Sequence, residues 1–373
     1  MRIAYVSSTF DKRHRRRVNF LQALIDSGHE CLLVVLDIHK GLVSFPDQAV
    51  IISKPDMGAS FFAKKRSANT LRASTISVIE DFSPDCVICL EPESLFAGVY
   101  FKKKYGTRFI YDVQECHGHT TNAGKLRRLW VYKEERKSLP YIDNICVLSD
   151  AMQNQFAGRY TKLPPIKILS NAFFHKVSPK YNGYLHAEAA ISRDKNILLY
   201  HGYLTHHRGL EWLAEFANNL PDNWHTVMMG WGELEPALQK KTNRQLSVIP
   251  PVPVEDLLDT ICGAKLGAIL YDKVNLNHEY STPNKLYEYP AAGIPIVCEH
   301  LPEIVKVVEE NELGWVVSKT DSADKILQIF SDGNATDLAA KQINCSQFTS
   351  KMLEDKVDDQ WVDIVTNKHI LPK

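Results

Sequence analysis

Lys285 and Glu288 stand three residues apart in STPNKLYEYPAAGIPIV (281–297), between a proline and an Ala-Ala-Gly stop. Two kinds of chemistry suit such a pair. On an exposed helix face it is a surface ion pair worth a few tenths of a kcal/mol. At the mouth of a helix, the lysine adds charge to backbone N–H groups already suited to an anion, and the carboxylate can accept from hydroxyls. Ser281 and Thr282 can cap such a helix, Pro283 suits its first position and Gly293 its end. The spacing therefore predicts a helix opening near Pro283, with Asn284 and Lys285 in its first turn. Pro290, inside that helix, removes a hydrogen bond and predicts a kink. IPIVCE, which follows, reads as a short buried strand.

Other residues invite the same question. Arg208, in GYLTHHRG (202–209), is a forked donor matched to phosphate geometry or a plain solvated arginine before a helix. GWG (230–232) reads as a strand-to-helix turn. Asp112, Glu115 and His117 follow the apolar run RFIYD and are titratable, but each has a bland reading: a turn cap, a surface charge and a solvated loop residue. The HGH of 117–119 is two metal ligands at most, which do not make a site, so no metal is expected. There is no GxGxxG after the first strand, no Walker A sequence and no DxD at a strand end.

Positioning these residues requires a scaffold, and apolar runs alternate with helical patterns along the chain. RIAYVSS, CLLVVLD, DCVICL, RFIYD, NICVLS and ILSNAFF form one series. NILLYHG, HTVMMG, LSVIPP, KLGAIL, IPIVCE and GWVV form a second. This is a βαβ pattern with parallel sheets. Between the two lies a polar stretch without periodicity, which places a boundary near 172–194. The expected domains are 1–175 and 176–355, with the C-terminal helix in 356–373 a candidate to return to the first. At 373 residues the chain suits two domains of similar size. No apolar run reaches membrane-spanning length and MRIAYVSS lacks signal-peptide anatomy, so a cytoplasmic location is expected. The eight cysteines are scattered, and Cys86 and Cys89 lie in CVICL, where they read as buried small hydrophobes.

Net charge is zero but uneven. Residues 1–175 hold 25 Lys and Arg against 17 Asp and Glu, a net +8, which leaves 19 against 27, a net −8, in 176–373. The basic half contains DKRHRRR (11–17), FFAKKR (61–66), FKKKYG (101–106) and KLRRLWVYKEERK (125–137). One such run is usually a solvated face, whereas four point to an anionic partner, a membrane surface or a phosphorylated substrate, and not to nucleic acid.

In order and spacing, YHGYLTHHRGLEWL, VMMGWGE and STPNKLYEYPAAGIPIV resemble the motifs of retaining family 4 glycosyltransferases of the GT-B fold, and GHE (28–30) and YDVQE (111–115) resemble that family's acceptor-domain landmarks. The resemblance covers most of the chain. It implies two Rossmann-like, doubly wound parallel-sheet domains facing across a cleft, the first binding acceptor and the second a nucleoside-diphosphate sugar. It implies that Arg208 and Lys285 stabilise the leaving diphosphate, that Glu288 suits the ribose hydroxyls, and that Gly202, Tyr203, Gly230, Val252, Glu279, Tyr280, Ser281, Thr282, Pro283 and Asn284 line the donor site. Asp112 and Glu115 are the favoured acceptor-side catalytic residues. The sugar nucleotide is a substrate, carrying UDP or GDP, and no separate cofactor is implied. The expected acceptor is a saccharide or lipid-linked saccharide of a surface polysaccharide, with peripheral contact to an anionic membrane.

The chain departs from the family pattern in places. That pattern has two glutamates with seven residues between them, and the position eight before Glu288 is Tyr280, with Glu279 one place off. Tyr203 stands where the family often has a second arginine, and Gln114 where related sequences with YDxHE have histidine. Two alternatives stay open: a nucleotide-sugar epimerase of the same fold, and a non-catalytic, nucleotide-binding partner subunit.

Overall fold

A computed structural model describes the chain except residues 9, 11–14, 38–48, 54–60, 121–123, 173–177, 332–333 and 367–373, with backbone alone at 37, 49–53 and 61–65. It divides into two compact units, Met1–Phe173 with Lys356–Lys373, and Phe174–Asp355.

The first unit holds seven strands, β1 (Arg2–Ser7), β2 (Glu30–Asp37), β3 (Ala49–Ser53), β4 (Cys86–Cys89), β5 (Arg108–Asp112), β6 (Asn144–Val147) and β7 (Ile166–Ile168). They form one sheet in the order β3-β2-β1-β4-β5-β6-β7, with every pair parallel. Crossover helices put cover on both faces of such a sheet, so its central strands are apolar throughout. All four residues of β4 are buried. Cys86 and Cys89 lie among them as free thiols, and burial pushes the Cys89 thiol up to about 12. The C-terminal helix Val357–Thr366 belongs to this unit: Trp361 stacks on Phe20 at 4.5 Å, and its indole N–H donates to the Phe20 carbonyl at 3.1 Å.

The second unit holds β8 (Asn196–Tyr203), β9 (Trp224–Trp231), β10 (Leu246–Ile249), β11 (Leu266–Ile269), β12 (Ile296–Glu299) and β13 (Gly314–Val317). Its sheet runs β10-β9-β8-β11-β12-β13, again all parallel. In both units the strand order reverses once, between β1 and β4 and between β8 and β11. Doubly wound sheets bind ligands beyond the carboxyl ends of their strands at that reversal.

Two strands differ from the sequence expectation. β3, AVIIS, is absent from the expected series, and β7 is IKI, ending where ILSNAFF was expected to begin. The boundary region and the cluster 11–17 fall partly outside the described residues.

Candidate functional site

In the second unit the site is built where β8 and β9 end. Gly202 pairs with Gly230 and Tyr203 with Trp231. A Cβ on Gly230 would sit 1.8 Å from the Gly202 carbonyl oxygen, so the strands can close only with glycine there. Gly202 has φ +121°, and a Cβ on it would stand 3.1 Å from the Lys285 ammonium. Its hydrogen both allows the backbone turn and leaves room for the cation.

Lys285 is 7% exposed. Its Nζ donates to the Tyr271 hydroxyl at 3.3 Å and lies 4.7 Å from the centroid of the Tyr200 ring. No carboxylate among the described residues forms an ion pair with it. The Arg208 guanidinium stacks on the Tyr271 ring, 4.0 Å from its centroid. Two cations thus share one phenol. Burial pushes the Tyr271 phenol up, but Arg208 and Lys285 outweigh it and leave the group below its ordinary value. Burial pulls Lys285 down, but the Tyr200 and Tyr271 oxygens outweigh that and hold its ammonium form.

Glu288, 5% exposed, lies with an oxygen 3.5 Å from Nε2 of His201, which is equally buried. The His201 ring stands edge-on to Tyr289 at 5.1 Å, and the Tyr289 hydroxyl donates to the Leu199 carbonyl at 2.9 Å. The surface ion-pair reading of Lys285 and Glu288 is therefore overturned: both are buried, and each has a different partner.

The helix itself corrects its sequence reading. It spans Lys285–Ala291, only seven residues, starting after Pro283, and its cap is Asn284, which makes no side-chain cap bond. The N–H groups of Leu286 and Tyr287 are already taken by the Pro283 and Asn284 carbonyls at 2.9 Å. The side-chain cations, not a helix end, supply the positive charge. Pro290 is the last residue but one of this helix, and Gly293 follows with φ +72°.

The remaining donor-side candidates surround this core unevenly. Thr282 is buried, while Tyr280, Ser281, Pro283, Asn284 and Val252 are half-buried. Glu279 pairs with Lys273 at 3.1 Å. Tyr203 is 49% exposed and lies 6.0 Å from the Trp231 ring.

In the first unit a second polar cluster sits at the strand reversal. Glu91, two residues past β4, pairs with Arg17 at 2.7 Å and accepts from the backbone N–H of Ser8, just past β1, at 2.7 Å. Arg17 also donates to Ser7 and Gln114 at 3.0 and 2.9 Å. Asp112 is wholly buried, with one oxygen accepting from Arg16 at 2.8 Å and the other from Gln114 at 2.9 Å. Arg16 continues to the Leu169 carbonyl at 2.8 Å. This geometry makes Asp112 a strut between β5 and the helix Arg15–Asp26. Glu115 is exposed. His117 is buried, its Nε2 has no hydrogen-bond partner among the described residues, and burial followed by the Arg17 charge pushes it down to about 3.

The same network takes Arg16 and Arg17 out of the basic surface expected of DKRHRRR. Arg16 and Arg17 are 5% and 7% exposed and committed to carboxylates, so they are not a basic surface. Sequence reasoning also passed over His201, Tyr271 and Glu91. Each had a faint signal, since all three stand at or just beyond the carboxyl end of an apolar run.

Residues 195–332 match the family model described as Glycosyl transferases group 1. No curated protein sequence matches the chain. Among solved structures, sucrose-phosphate synthase from Thermosynechococcus elongatus superposes with a TM-score of 0.74 at 11% identity, covering 98% of each chain. HepE from Anabaena, solved with UDP, gives a TM-score of 0.74 at 11% identity over 98% of this chain and 100% of its own. WaaG, a glycosyltransferase involved in lipopolysaccharide biosynthesis, gives 0.69 at 15% identity over 98% and 100%. The fold is GT-B. At these identities the likeness is one of architecture, two Rossmann-like domains. The matched model is one of glycosyl transferases, and the fold is the one these solved structures share.

Proposed function

We propose that the protein is a retaining glycosyltransferase that moves a hexose from a nucleoside-diphosphate sugar to a saccharide or lipid-linked acceptor of a surface polysaccharide. One observation carries this reading: a buried lysine ammonium with a phenol and aromatic faces around it but no carboxylate partner among the described residues, beside a guanidinium on the same ring. A buried charge left without a counter-ion is expensive. A diphosphate supplies that counter-ion.

As the bond from the anomeric carbon to the diphosphate oxygen breaks, its electron pair stays on that oxygen, and Lys285 and Arg208 stabilise the growing charge. The acceptor hydroxyl attacks from the face the diphosphate is leaving, which retains configuration, and its proton passes to the departing oxygen. That route needs no glycosidase-type carboxylate pair and assigns charge neutralisation to side chains in place of a metal. Glu288 accepts from the ribose hydroxyls, held in place by His201. The solved complexes of HepE with UDP and UDP-glucose support a uridine donor, with GDP the other expected nucleotide. The lipopolysaccharide role of WaaG supports a surface-polysaccharide acceptor.

The test is a thermal-shift screen against UDP, GDP, ADP and CMP sugars, since a ligand that binds the folded state raises its apparent stability. One nucleoside diphosphate should stabilise the wild type and not Lys285→Ala. No stabilisation by any of the four would remove the donor site.

A further inference from the structure

We propose that the outward face of the helix Lys125–Ser138 docks on an anionic lipid bilayer, with Leu126 and Leu129 entering its interface. This helix is amphipathic in an unusual sense. Its inward stripe is Val131, Glu135 and Ser138, all buried, and the Glu135 carboxylate accepts from the hydroxyls of Tyr111 and Tyr160 at 3.2 and 2.6 Å. At 3.6 residues per turn the opposite side centres on Lys133, flanked by Leu126, Leu129, Arg136 and Lys137. Leu126 is 83% exposed and Leu129 is 65% exposed. Lys125, Lys133 and Arg136 are exposed as well, and no acidic residue lies on that stripe. Glu134 sits at its edge, paired with Lys137 at 3.5 Å.

Charge and shape select the partner. Exposed leucines flanked only by cations suit a surface that is anionic at its headgroups and apolar just beneath, where long basic side chains reach outward while leucines go in. At 14 residues the helix is too short to span a bilayer, so the contact is interfacial. The location adds a reason. Arg128 donates to the Gly118 carbonyl at 3.1 Å, and Tyr132 hydrogen-bonds His119 at 2.6 Å, so the helix is tied to the loop that carries Glu115 and His117. The proposal rests on the reading of a lipid-linked acceptor for its purpose: a bilayer at this helix brings such an acceptor to that loop. It also moves the membrane contact from the buried arginines 16 and 17 to a face that is free to make it.

The test is flotation of the full chain with phosphatidylcholine vesicles, with and without phosphatidylglycerol. Wild type should float only with the anionic vesicles, and less as salt rises. Lys133→Ser with Arg136→Ser should weaken partitioning about fivefold per cation, and Leu126→Ser with Leu129→Ser should weaken it further even at low salt. Because these side chains are exposed, both variants should keep the wild-type nucleotide-induced thermal shift. Flotation unchanged in both variants, or none in the wild type, overturns the proposal. So does sedimentation showing that the leucine pair instead holds two copies of the chain together. Loss of the nucleotide response in the wild type would sink the donor-site reading and leave the vesicle result standing.

Discussion

His201 Nε2 lies 3.5 Å from the Glu288 carboxylate, and both side chains are buried beneath the ends of β8 and the helix Lys285–Ala291. An imidazole packed that close narrows the rotamers open to the carboxylate. Glu288 is assigned to a part of the donor that does not react, so its loss should act mainly on binding. Glu288→Gln should raise the donor KM about tenfold, with a smaller fall in kcat. His201 touches no substrate in this assignment and is a positioning residue. His201→Ala should give a smaller rise in KM with kcat nearly intact. Steady-state kinetics separates this from chemistry: a fall in kcat at unchanged KM, in either variant, would take both residues away from the ribose.

Lys285 should behave in opposite ways for stability and for function. Its ammonium is buried without a carboxylate among the described residues, an arrangement that hydrophobic substitution often leaves neutral or improves. Lys285→Met should therefore leave the ligand-free melting temperature unchanged or raise it. The same variant, and Arg208→Ala, should each lose about 3 kcal/mol of transition-state stabilisation, on the order of a hundredfold in rate. Calorimetry of the free protein and turnover of the loaded one together decide the matter. A Lys285→Met protein that is less stable but fully active would make the lysine structural.

How far the sequence could lead depends on the range of the interactions. The alternation of apolar runs with helical stretches made both parallel sheets legible, because that periodicity is local. AVIIS was missed because its apolar run is only four residues long, too short for periodicity to mark it as a strand. The order of motifs drew attention to Lys285, Glu288 and Arg208. What decides their chemistry is not local: the Lys285 partner Tyr271 is 14 positions away, and room for its ammonium depends on the missing Cβ of Gly202. Arg16 and Arg17 read as surface charges because their partners are distant in sequence, Asp112 being 96 positions from Arg16. Only the tertiary fold shows that these arginines are inside.

The Arg16–Asp112 pair should accordingly report on folding. Asp112→Asn leaves the Arg16 guanidinium buried without its counter-ion, which should cost about 3–5 kcal/mol in urea unfolding. Arg16→Ala should cost a similar amount, and the double variant less than the sum of the two, because each single change strands the other charge. The folded fraction of Asp112→Asn should turn over at the wild-type rate. Wild-type stability with lost turnover would return Asp112 to acceptor chemistry.

His117 gives the pH dependence a sign. Burial, and after it the Arg17 charge, push its imidazole down to about 3, whereas in the unfolded chain it titrates near 6.5. Between those values the unfolded chain binds a proton that the folded chain refuses, so stability rises with pH across this window and falls as acid is added. At pH 5 the loss relative to neutral pH should be about 2 kcal/mol from this residue alone. Glu91 works in the opposite direction, because burial pushes its carboxyl up despite the Arg17 charge, and mild acid then favours the folded form. The two are separated by His117→Gln, which keeps polarity and cannot titrate. Urea unfolding at pH 5 and 7.5 should show the wild type losing about 2 kcal/mol more than the variant on acidification. An equal loss in both proteins would mean that His117 is solvated in solution and that its buried Nε2 has water beside it.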